Sequence, residues 1–271
     1  MRLSDFSALT FDCYGTLIDW ETGISEALAP WLVRGGVSLG RDQILEAFAE
    51  LESAQQVATP SLRYPDLLAK VHRGLAERFG VAPDPKAAEG FGASVGNWPA
   101  FADSAGALAY LKQHYRLVIL SNVDRASFAQ SNPRLGVTFD AIYTAEDIGS
   151  YKPDPRNFDY LLGYLAEQGI GKEQILHTAE SLHHDHIPAK RFGLATCWIH
   201  RRAGKQGHGA TRVPDTAVQP DFRFESLAAM ADTHRAEKAG GTTVLVEDRE
   251  EGEAVRRVTR GTLAGLYTTL S

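Results

Sequence analysis

The spacing of apolar residues along this chain changes character several times, and each change marks an element. Ala8-Leu9-Thr10-Phe11 is a short apolar run that ends on a carboxylate, Asp12, and breaks at Gly15 into a turn closed by Thr16. Such a run predicts a strand. From residue 18 to about 98 the spacing is helical. Ile24, Leu28, Trp31 and Leu32 share one face, as do Ile44, Leu45, Phe48 and Leu51, and again Leu67, Leu68, Val71, Leu75 and Phe79. Gly35-Gly36, Pro60 and Pro83-Asp84-Pro85 separate these runs. Alternation then resumes. A helix over 105–114 precedes a doubly buried strand over 117–120 that ends in Ser121-Asn122. A weaker strand follows at 141–144, then a helix over 158–166 opened by Pro155. A strand over 175–179 ends in Glu180, with Asp185 five residues on. A short helix over 187–192 and a strand over 195–199 complete the alternating part.

Strands alternating with helices predict an α/β fold, a doubly wound, Rossmann-like parallel sheet with helices on both faces. The expected organisation is a discontinuous core over 1–17 and 99–235, an inserted α-helical cap over 18–98, and a C-terminal extension over 236–271. Residues 201–220, rich in Gly, Arg, Lys and Pro, read as a mobile loop. In the extension only 242–246 is apolar, which leaves an edge strand plus helix, or disorder, as alternatives.

Composition narrows the function. The 271 residues are 44% hydrophobic and carry a formal charge of −6 without long runs of one sign. That balance argues against nucleic acid and membrane surfaces and for a small-molecule substrate. Cys13 and Cys197 form no disulfide framework, and the N-terminus lacks a signal-like apolar run, so the expected location is cytoplasmic. The sequence leaves a homodimer open.

Four strand ends or adjoining loops carry polar residues: Asp12 with Thr16, Ser121 with Asn122, Lys152 in Tyr151-Lys152-Pro153-Asp154-Pro155, and Glu180 with Asp185. Ligands of open α/β sheets bind outside the carboxyl ends of the strands, so all four are expected at one crevice. Taken singly, each has a plain structural reading as a turn, a helix cap or a solvated side chain. His177, His183, His184 and His186 fit no closed zinc pattern. Cys13 reads as a small buried residue.

Together with Phe11-Asp12-Cys13-Tyr14-Gly15-Thr16-Leu17, the lysine loop and Phe192-Gly193 resemble the haloacid dehalogenase (HAD) superfamily, and its 2-haloacid dehalogenase branch in particular. That resemblance implies Asp12 as nucleophile, Thr16, Ser121 and Asn122 as holders of oxygens, Lys152 as the cation that keeps Asp12 ionised, and Asp185 as a further catalytic acid. Cys13, Tyr14 and Trp20 are expected beside the substrate. Phosphatases of the superfamily carry a second aspartate where this chain has Tyr14, and a phenol is a poor proton donor at neutral pH. Halide leaves without a proton, so Tyr14 favours displacement at carbon, with no cofactor required. The alternative is a magnesium-dependent phosphatase or phosphonatase-like hydrolase with Asp12, the Tyr14 carbonyl, Asp185 and Glu180 around the ion. A catalytically idle binding protein is the third reading. Three departures stand out: Glu50 lies near the place where similar dehalogenases have a cap arginine, Phe158 replaces a frequent tyrosine, and Glu180 followed by Asp185 resembles the magnesium site of the phosphatases, where dehalogenases tend to have serine and asparagine ahead of the aspartate.

Overall fold

The computed structural model describes residues 1–240 in full and the backbone of 244–250 and 253–259. Its main sheet is entirely parallel. Strands β1 (Ala8–Phe11), β2 (Arg116–Ser121), β3 (Ala141–Thr144), β4 (Ile175–Ala179), β5 (Ala195–Ile199) and β6 (Phe222–Phe224) lie in the order β3-β2-β1-β4-β5-β6. The chain runs outward from β1 through β2 to β3, then returns to the other side of β1 as β4. The C-terminal end of β1 is therefore the switch point at which such sheets open a crevice.

Between β1 and β2 the helical spacing becomes α1 (Trp20–Arg34), α2 (Arg41–Ala58), α3 (Tyr64–Phe79) and α4 (Pro85–Gly92), with α5 (Ser104–Leu111) back beside the sheet. Asp19 and Asp84 accept from the backbone N–H of Thr22 and Ala87, capping α1 and α4. The two connections to the sheet run side by side: Asp19 N–H donates to the Pro99 carbonyl and Phe101 N–H to that of Leu17. This pairing fits a helical insertion at residues 18–98. Gly23 lets α1 lie flat on the Trp98 ring, whose atoms occupy the space a Cβ would take.

Further along come α6 (Arg125–Ser131), α7 (Ala145–Ile148), α8 (Arg156–Glu167) and α9 (Ile187–Arg191). The periodicity gave no sign of β6 or of α10 (Leu227–Lys238), and α10 runs through the expected boundary at 236. Its Leu227, Met230 and Ala231 are buried in the main core. Strands β7 (Val244–Glu250) and β8 (Glu253–Thr259) form a separate antiparallel pair instead of an added edge strand, and the remainder of the extension lies outside the described residues. No helix among the described residues is long and apolar enough to cross a membrane.

The loop expected to be mobile is pinned by two arginines. Arg201 binds the Thr16 carbonyl and the Asp103 carboxylate, while Arg202 pairs with Glu21 at 2.7 Å and with Asp42. Both guanidinium groups are largely buried and paired, which ties residues 201–211 to the edge of the crevice.

Candidate active site

The end of β1 delivers Asp12 into the crevice, and the turn behind it fixes the carboxylate. Gly15 adopts φ +93°, a left-handed conformation that suits glycine, and the indole of Trp20 packs where a Cβ would project. The Cys13 carbonyl then accepts from the N–H groups of Thr16, Leu17 and Ile18. Thr16 is thereby placed to donate its hydroxyl to Asp12 Oδ2 at 2.7 Å, while its oxygen accepts from Glu180 N–H at 2.9 Å. One hydroxyl therefore links the ends of β1 and β4.

Lys152 enters from the loop before α8 and is 1% exposed. Its Nζ donates to Asp12 Oδ1 at 2.9 Å, to the Leu120 carbonyl at 2.8 Å and to Asp185 Oδ1 at 2.7 Å. All three ammonium protons are spent. Asn122 holds this loop by its amide, accepting from Lys152 N–H and donating to the Lys152 carbonyl. Its side chain binds the lysine's backbone and thus positions the cation.

Asp185 follows β4 on a π-helical turn, Leu182–His186, a distortion frequent at functional sites. Its Oδ1 also accepts from His177 Nε2 at 2.9 Å. With Nε2 as the donor, His177 Nδ1 accepts from the Thr10 hydroxyl at 2.8 Å. Asp185 Oδ2 and Ser121 Oγ are buried without a partner, which leaves an acceptor and a hydroxyl free for water or substrate.

Burial acts on every carboxyl here, and the neighbours decide the outcome. At Asp185 the Lys152 ammonium and the His177 N–H outweigh desolvation and hold the carboxyl well below its ordinary range. At Asp12 desolvation prevails: the same lysine and Thr16 oppose it, the Asp185 charge adds to it, and the carboxyl sits above its ordinary value. Burial pulls Lys152 down, but its two carboxylates more than restore it. Lys152 thus remains a cation, with Asp185 the more acidic partner.

The helical insertion contributes the opposite wall. Glu52 and Gln56, one turn apart on α2, line the crevice with Tyr64 of α3 and Trp20 of α1. Glu52 is 3% exposed and accepts from the Tyr64 hydroxyl at 2.8 Å. Burial, with the Asp12 charge adding and Tyr64 opposing, pushes the Glu52 carboxyl up to about 7. Glu180, which accepts from the Thr211 hydroxyl, is pushed up to about 8 by burial. His184 is buried, with Ser181 as its partner, and falls to about 3, so it is neutral. The crevice is partly open, and its free space for water is ≈ 30 Å³, on the scale of one or two waters.

Of the residues singled out in the sequence, Asp12, Tyr14, Trp20, Ser121 and Asn122 line this crevice, as do Lys152, Glu180 and Asp185. Thr16 lies directly beneath it. Cys13 does not belong to it: its thiol is fully buried in the apolar core and pushed well above the ordinary thiol range by burial. The Tyr14 hydroxyl donates to Ser131 Oγ at 2.9 Å, so the phenol is anchored in the core wall. Glu50 points to solvent and pairs with Arg78, and Phe158 is buried against His177 and Phe192. Periodicity did not single out Glu52, Gln56, Tyr64 or Ser181; the usable signal was that Glu52 and Gln56 continue the 44/45/48 stripe at helical spacing.

The magnesium alternative would draw on Asp12, the Tyr14 carbonyl, Asp185 and Glu180. Among the described residues no three His, Cys, Asp or Glu side chains are arranged to hold an ion. The Lys152 ammonium bridges Asp12 Oδ1 and Asp185 Oδ1, and Glu180 accepts from the Thr211 hydroxyl.

A family model for haloacid dehalogenase-like hydrolases matches residues 6–183. The (S)-2-haloacid dehalogenase of Pseudomonas putida is 26% identical over 209 residues, covering 74% of this chain and 88% of that protein. The enzyme of the same description from Pseudomonas sp. strain YL is 27% identical over 245 residues, covering 83% and 92%. Among solved structures, an L-2-haloacid dehalogenase from Xanthobacter autotrophicus with chloropropionic acid covalently bound superposes with a TM-score of 0.68 at 18% identity, covering 85% and 98%. A magnesium-bound protein described as a HAD-hydrolase, from Bacillus subtilis, gives 0.67 at 17% identity, covering 86% and 98%. At these identities the structural matches establish the fold and do not separate the two chemistries.

Proposed function

The chain belongs to the haloacid dehalogenase-like hydrolases, and from that premise we propose that it displaces halide from C2 of a short 2-haloacid with Asp12 as nucleophile. A carboxylate oxygen of Asp12 attacks C2, the carbon–halogen bond breaks, and its electron pair leaves with the halide. The result is an ester between Asp12 and the substrate carbon. Water then adds to the ester carbonyl, releasing the 2-hydroxy acid, the Asp12 carboxylate and one proton.

Each step has a group suited to it. Lys152 and Thr16 hold the attacking carboxylate in place and favour its charged form. The partnerless Ser121 hydroxyl is available to a substrate oxygen, and the free Oδ2 of the ionised Asp185 accepts a hydrogen bond from the hydrolytic water. The observation that carries the reading is at Tyr14. Where a phosphoryl-transferring relative would need an acid–base carboxyl, this chain has a phenol that burial pushes well above its usual range and that is bonded to Ser131. Displacement of halide requires no such acid.

The deciding assay is halide release from 2-chloropropionate in the presence of a chelator. Turnover is expected to be unaffected by metal removal. No halide from any short 2-haloacid, with magnesium-dependent hydrolysis of phosphate esters in its place, would refute the reading.

A further inference from the structure

A 2-haloacid reaches the crevice as an anion, and among the described residues lining it Lys152 is the one cationic side chain. Its ammonium protons already serve Asp12, Leu120 and Asp185, and His184 is neutral. The wall facing Asp12 offers a carboxyl, an amide and a phenol from Glu52, Gln56 and Tyr64. A further buried carboxylate beside Asp12 and Asp185, without a cation of its own, is costly, so a hydrogen-bond donor must take the cation's place. Extending the halide-displacement reading, on which it rests, we propose that Glu52 binds the substrate carboxylate as a neutral carboxylic acid, so that substrate and one proton are taken up together.

The geometry suits this role. Glu52 lines the crevice, and Tyr64 donates to its Oε1, which leaves Oε2 as the oxygen to carry the proton. A carboxylic acid donating to a carboxylate makes one of the stronger hydrogen bonds available to proteins. Other groups act on Glu52 from each neighbouring element. Asp12 raises it and the Tyr64 hydroxyl lowers it. Tyr151 beside Lys152 is itself raised by burial and by the Glu52 charge, so it stays protonated. Glu180, His184 and Asp185 close the far side of the crevice. Because Glu52 changes charge near neutrality, it is half protonated where most carboxyls are fully ionised. Above that point each substrate anion bound must bring a proton from solution. Affinity for the acid then falls about tenfold per pH unit, whereas a neutral amide of the same shape feels no such limit.

The test uses propionate, which has no leaving group, and calorimetric titration of the intact protein in two buffers of different ionisation heat. Uptake is expected to approach about one proton per propionate at pH 8, to be about half at pH 7 and to fade by pH 6. Propionamide should bind without uptake. Glu52→Gln keeps a donor and the acceptor for Tyr64, and should bind propionate with no uptake and a flat pH dependence. Failure of propionate to bind, binding without uptake, or uptake that persists in Glu52→Gln and so belongs to Glu180, would each overturn the proposal. Halide release from 2-chloropropionate is scored separately. Its absence removes the parent reading, while its presence with an unchanged pH profile in Glu52→Gln removes only the role given to Glu52.

Discussion

Replacing Lys152 by methionine tests whether one buried ammonium holds two carboxylates together. Methionine keeps most of the side-chain volume, so the change is mainly electrostatic. The lysine is 1% exposed and makes three hydrogen bonds of 2.7–2.9 Å. Breaking a buried ion pair from one side costs about 3–5 kcal/mol, because the partner charge stays behind uncompensated. In a chain of this size that corresponds to a fall in Tm of about 6–20 °C. The pH dependence identifies the cause. Without the ammonium, Asp12 and Asp185 are like charges in an apolar site, and at least one folded-state pKa rises above the unfolded value. A native state that binds the extra proton loses stability as pH climbs from the unfolded pKa to the raised one. The deficit against the parent protein is therefore expected to be larger at pH 8 than at pH 5, read by calorimetry at both. A deficit that is absent, or greater in acid, would refute the shared-cation account.

Asp12→Asn should lower halide release by at least about 10³-fold, since an amide cannot form the ester, while the folded state persists. Because burial raises Asp12, the acid limb of kcat in the parent protein should lie above the ordinary aspartate range, with rate rising as pH climbs through it; a rate flat down to pH 4 would contradict this. Gly23→Ala drives a methyl into the Trp98 ring and should cost about 1–3 kcal/mol in denaturant titrations; a neutral effect would mean that α1 can shift off Trp98.

What the sequence disclosed was whatever is local. Runs of four to six apolar residues ending in a polar one are strands by their own chemistry, and parallel order then gathers their ends. Asp12, Lys152 and Asp185 could be placed at one crevice without coordinates for that reason. Phe222-Arg223-Phe224 is too short to show a period, and α10 interrupts its apolar stripe with His234, so both escaped notice. The pinning of residues 201–211 was invisible because Arg201 and Arg202 find partners 98 and 181 residues away. On α2 the period chose Leu51, which is only half-buried, and passed over Glu52. Hydrophobicity marks a buried helical position only when the neighbour is apolar, and the neighbour of Glu52 is a crevice.

Four carboxyls in this crevice meet the same desolvation and end in different states, and the reason is the reach of a single cation. Asp185 touches Lys152 and also accepts from His177, so it is the first to ionise. Asp12 has the lysine and Thr16 but also the Asp185 charge, which leaves it higher. Glu52 and Glu180 lie beyond the ammonium's hydrogen-bond reach, have only a hydroxyl donor each, and rise to about 7 and 8. Groups whose environments drive their pKa values apart are suited to different roles. Asp12 and Asp185, both within reach of the ammonium, stand on the sheet side, where the proposed displacement needs a nucleophile and an acceptor for water. Glu52 takes its proton on the helical side, where an anionic substrate would otherwise meet like charge. A second cation on that wall would remove the requirement for a proton, so substrate binding that depends on pH is the direct consequence of an α2 face that carries Glu52 and Gln56 and no arginine.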